Sequence, residues 1–114
     1  MVIAVAAGGV SSCNKNERPP ENILTTDQMV AVMAELYIAE QKISTLGISR
    51  DSLRHVFGEM ESKIFDKMDT KDPVFKKSLD YYMDRPKTLE FIYTALIDTL
   101  NLREQRVSTG ERPQ

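Results

Sequence analysis

Residues 29–39 read MVAVMAELYIA, a run in which Glu35 is the only charged side chain. A helix that is apolar on most of its faces is stable only when other elements surround it, so this segment should be the most buried in the fold. Its start is marked by Thr25-Thr26-Asp27-Gln28, a capping box in which a Thr hydroxyl takes an orphan amide and Gln three residues on reciprocates. The run fades through Gln41 and Lys42 to Gly47, a C-terminal cap.

Three further helices are available to surround it. One begins near Ser49 or Asp51, where Leu53, Val56, Phe57, Met60, Ile64 and Met68 recur at three- and four-residue steps. Asp72-Pro73 starts a short third helix, with Asp as N-cap and Pro at the first helical position, and Phe75, Leu79 and Tyr82 as its stripe. Arg85-Pro86 interrupts it, because a proline disfavours helix in the residue before it. A fourth helix carries Leu89, Ile92, Tyr93, Leu96 and Leu100 on one face, and residues 107–114 form a flexible tail. There is no sustained alternation and no Asn-Gly or Asp-Gly hairpin turn to compete. The expected fold is all-α, a small four-helix arrangement over residues 25–106.

With 114 residues the chain is one domain's worth. Its 41% apolar and 28% charged residues are ordinary globular proportions. A net charge of −2, with Lys and Arg alternating with Asp and Glu, gives no basic face for phosphates, so nucleic acid is not an expected partner. The single cysteine forms no intrachain disulfide and no thiolate metal cluster.

The position of that cysteine carries a message. Residues 2–10, VIAVAAGGV, are apolar and uncharged, and Val10-Ser11-Ser12-Cys13 follows directly. The run is too short for a membrane-spanning helix, which needs about 20 residues, and suits a signal h-region of about 7–15. An aliphatic residue, two small residues and Cys resemble the lipobox of bacterial lipoprotein signal peptides. The resemblance implies a diacylglycerol on the Cys13 thiol, cleavage before it, and acylation of the new N-terminus. Residues 1–12 are then signal peptide, although no Lys or Arg precedes Cys13. Residues 13–24, polar and stiffened by Pro19-Pro20, are the tether. The implied location is the cell envelope, as an outer-membrane lipoprotein facing the periplasm, with the membrane as a partner through the lipid.

The block Phe75-Lys76-Lys77-Ser78-Leu79-Asp80-Tyr81-Tyr82, followed by Arg85-Pro86 and Phe91-Ile92-Tyr93, resembles a Bacteroidetes lipoprotein family known as domain of unknown function 4296. The pattern extends to the Cys13 lipobox, the Pro-rich spacer and Ala39-Glu40, and covers roughly residues 10–103. It implies a lipoprotein with a helical domain and brings no activity with it.

The chemistry-bearing residues read as structural. His55 and Glu59, four apart on one helical face, lack a third metal ligand and a second His, and make a surface pair. Glu35 inside the apolar helix suggests a general acid only if desolvated; a wet edge or an Arg partner is the commoner arrangement. Ser78 near Tyr81 and Tyr82 has no base to activate it. Met29 and Met33 are core. No phosphate loop, CxxC or HExxH occurs. No catalytic, cofactor or metal residues are expected, and the chain is not expected to be an enzyme.

What remains is surface. At 100° per residue, Leu89, Tyr93, Leu96 and Leu100 cluster as the core face, while Phe91, Ala95 and Leu102 fall opposite. On the third helix Val74 and Tyr81 similarly lie off the stripe. Either the tether or tail folds over this second face, or Phe91, Leu102 and Tyr81 form a docking patch for another envelope protein or a second copy. The expected role is a non-catalytic binding or scaffolding module; the alternative is a subunit of an enzyme complex whose site forms only with its partner.

Overall fold

The computed structural model describes residues 18–110. It contains four helices, α1 (Thr26–Ser44), α2 (Arg50–Lys67), α3 (Asp72–Met83) and α4 (Pro86–Ser108), and among the described residues there is no strand. Each helix starts where a local signal places it. Thr25 and Gln28 close the expected capping box at α1: the Gln28 amide donates to the Thr25 hydroxyl at 3.1 Å, and the Thr25 amide donates to the Gln28 side chain at 2.8 Å. The Ser49 hydroxyl accepts from the Ser52 amide at the head of α2. Pro73 and Pro86 lie in the first turns of α3 and α4, where the missing N–H costs nothing.

Two boundaries differ from expectation. The N-cap of α3 is Lys71, with extended backbone, and Asp72 is the first helical residue, where its charge still meets the positive end of the helix. At the other end, α4 continues through Val107 to Ser108, past the start of the expected tail. Its last turn is held by the Ser108 hydroxyl on the Glu104 carbonyl and by the Thr109 amide on the Gln105 carbonyl. Gly47, at φ +69°, sits two residues beyond the C-cap Thr45 and turns the chain toward α2.

α1 is the central element, packed on both α2 and α4, while α3 packs on α4. It supplies five buried residues against two from each other helix, as its apolar run requires. The main core joins Met29 and Val32 of α1, Phe65 of α2, Tyr82 of α3 and Ile92 of α4. Phe65, which falls off the α2 stripe read from periodicity, is nearly fully buried, its ring 5.7 Å from that of Phe75. Further along, Glu35 of α1 pairs with Arg103 of α4, so these two helices run in the same direction.

Leu24 also belongs to this core, with Ile23 packed against it. Residues 23 and 24, which the sequence assigns to the tether, are therefore packed into the helical domain. Asn22, at φ +69°, makes the turn that aims Leu24 inward, a left-handed conformation that Asn tolerates better than most residues.

Candidate functional site

Two places on this framework use side chains in ways that demand explanation, one sealed and one open.

The sealed one lies where the chain enters the domain. Ser78 and Tyr82 are one turn apart on α3, so both face the same side. The Ser78 hydroxyl accepts from the Leu24 amide at 2.8 Å and donates to the Val74 carbonyl at 2.7 Å. The Tyr82 hydroxyl donates to the Leu24 carbonyl at 2.7 Å. Both polar groups of one backbone residue are thus satisfied by two buried side chains, as a segment without regular structure needs when it is removed from water. Burial and the neighbouring Tyr81 push the Tyr82 phenol above its usual range, with Arg85 opposing, which keeps the hydroxyl protonated as a donor. Ser78 is therefore a clamp, with both hydrogen-bonding roles in use.

The signal for the clamp was present. Ser78 falls between Phe75 and Tyr82 on the buried face of α3, and a polar residue there must find a partner. What was not readable was that the partner is backbone 54 residues earlier.

The open place is a groove between α1 and the second half of α4. Tyr37 and Ile38 line one wall; Ile97, Leu100 and Val107 line the other. Ile97 is 57% exposed, Val107 64% and Tyr37 47%. Lys42, Arg106 and, from the end of α2, Lys67 stand around it, with Glu104. Glu35 and Arg103 close the groove with an ion pair at 2.8 Å, so Glu35 has the Arg partner.

The groove also corrects the reading of α4. Ile92 and Leu96, about 40° apart around the helix, centre the covered strip. Tyr93 lies about 60° beyond Leu96 and is 44% exposed rather than core. Leu100 is half-buried at the edge.

The expected docking patch divides. Phe91 and Leu102 are exposed, about 16 Å apart along α4, and the exposed Asp98 lies on that same side between them. Tyr81 is half-buried instead: its ring packs on the core and meets Tyr82 edge-on at 4.9 Å, with the Arg85 guanidinium 3.7 Å above it. Val74 packs on the core as well, because the chain at Ile23 and Leu24 covers that side of α3. His55 and Glu59 form the expected exposed pair at 3.4 Å on α2. Cys13 lies outside the described residues. Among the described residues no group of three His, Cys, Asp or Glu is placed to hold a metal, and no helix is long and apolar enough to cross a membrane.

Together these features define a small all-α domain with a clamped N-terminal segment and an open surface groove. The family described as "Domain of unknown function (DUF4296)" matches residues 20–106, and the chain belongs to it. The match takes in the clamped segment and all but the last two residues of α4; Cys13 lies outside it. No curated protein and no solved structure matches the chain significantly.

Proposed function

We propose that this chain is a membrane-anchored lipoprotein of the cell envelope, periplasm-facing on the outer membrane, whose helical domain is a non-catalytic binding module. The observation that carries the reading is Val10-Ser11-Ser12-Cys13 at the end of an apolar run too short to span a bilayer. A thioether-linked diacylglycerol plus an N-terminal acyl chain supplies the multiple chains that stable anchoring takes; one acyl chain holds only marginally.

The clamp fits this role. Leu24 lies eleven residue steps beyond Cys13, so a fully extended tether reaches at most about 40 Å. The domain then stays close to the bilayer, and any pull on the tether arrives at the Ser78 and Tyr82 hydrogen bonds. The non-catalytic part is supported by how the candidate groups are employed. Ser78 holds backbone, Glu35 is paired with Arg103, and His55 sits in solvent beside Glu59.

The test is detergent phase partitioning of the full chain expressed with its signal. The native protein should enter the detergent phase, and Cys13→Ser should move to the aqueous phase with an unchanged melting temperature. Equal partitioning of the two forms would remove the anchor from the proposal.

A further inference from the structure

From the groove between α1 and α4 we infer that the partner presents an acidic amphipathic helix, and that this helix docks along Tyr93, Ile97, Leu100 and Val107. The inference rests on the binding-module reading and gives that module a surface and a kind of partner.

The spacing argues for a helix. Tyr93, Ile97, Leu100, Glu104 and Val107 recur at steps of four, three, four and three, the seam by which one helix receives another. Tyr37 and Ile38 on α1 provide the opposing wall. Because α1 and α4 run in the same direction, they form a trough, and a third helix lying in it can contact both. From Tyr93 to Val107 the seam is about 21 Å long, enough for about four turns of an occupant.

The charges argue for acid. The whole chain is net negative, yet Lys42, Lys67 and Arg106 surround the groove. None of these three is in an ion pair among the described residues. Arg103 is already neutralised by Glu35, which leaves Glu104 as the one opposing carboxylate in the lining. A helix with Leu-type residues on one side and Glu or Asp flanking them satisfies both features. A second copy docking through the same groove does not, since a self-complementary contact would bring only Glu104 besides the paired Glu35 to answer Lys42, Lys67 and Arg106.

The experiment titrates the full-length chain in detergent with two fluorescent peptides of about 18 residues. Both carry Leu at alternating four- and three-residue steps; one has Glu at the remaining positions and the other Lys. By anisotropy the Glu peptide should bind and the Lys peptide should not, with an affinity that falls as salt rises. Ile97→Glu should weaken the Glu peptide at least about tenfold. In the double variant Lys42→Glu with Arg106→Glu, preference should pass to the Lys peptide, a reversal that loss of folding cannot produce. Equal binding of both peptides, or of neither, overturns the proposal. So does a concentration-dependent dimer abolished by Ile97→Glu, which gives the groove to a second copy. Capture of the Cys13→Ser chain by phosphatidylglycerol vesicles, abolished by the same double variant, gives it to the lipid surface and also overturns it. Peptide binding does not depend on acylation, so failure here and failure of the Cys13 partitioning test are distinguishable.

Discussion

The two ends of α1 are treated in opposite ways. At its start, Met29 and Val32 are enclosed by residues from every other helix, and even the irregular chain before it is drawn in at Leu24 and hydrogen-bonded at both polar atoms. Toward its end Ala39 and Ile43 are still buried, but Tyr37 stands exposed across from Ile97 and Val107, and the polar link across to α4 is a partly exposed ion pair. α3 makes the difference. It is short, folds back from α4 after the Arg85-Pro86 break, and covers the first half of that helix, leaving the second half open on one side. Stability is therefore concentrated at the sealed end, and the open end is where substitutions should change association before they change folding.

Hollowing out each end of α4 should separate the two regions most strongly. Ile92 is fully buried, so Ile92→Ala should cost about 2–5 kcal/mol in urea unfolding, whereas Ile97→Ala, five residues away, should stay within about 0.5 kcal/mol. Similar losses at the two positions would mean that the groove is core.

Ser78→Ala is the next test in size. It leaves the Leu24 amide buried without an acceptor, which costs about 1–3 kcal/mol. Hydrogen exchange should identify the site, with the Leu24 amide exchanging faster while the amides of the α4 groove wall keep their protection. Unchanged exchange at Leu24 would show that the clamp does not hold the segment.

Glu61 gives the smallest effect and a sign. Burial first, and then Asp72, raise its pKa from the usual 4.5, with Lys76 opposing. A folded-state pKa above the unfolded one means that the protonated acid suits the fold. The contribution is fully present below the unfolded value and is lost as pH rises through the folded one. Glu61→Gln should thus melt slightly higher than the native protein near about pH 7 and show no such gain near about pH 3. A lower melting temperature at neutral pH would reverse the assignment.

The local signals were legible because each depends on only a few neighbouring residues. Thr25 with Gln28, Ser49, Pro73 and Pro86 mark their helix starts through hydrogen bonds or a fixed φ within one turn. The misplacements have a shared cause. Leu24 lies outside any helix, so no periodicity marks it, and Phe65 and Tyr93 lie at the edges of stripes whose width depends on neighbours. Tyr93 and Ile97 were both apolar in the sequence; that both stay exposed, and that Ile97 lines a groove, follows from where α1 passes.

Composition, 3.6-residue periodicity and capping act over short distances, so four helices, the deep burial of α1 and a lipobox-like run ending at Cys13 ahead of a polar spacer are readable from the residues alone. Tertiary structure decided which flank of α4 is covered, that Ser78 and Tyr82 grip backbone more than fifty residues away, and that Glu35 meets Arg103. Those outcomes depend on how helices cross and how far each extends past its neighbour, and no local pattern encodes that geometry.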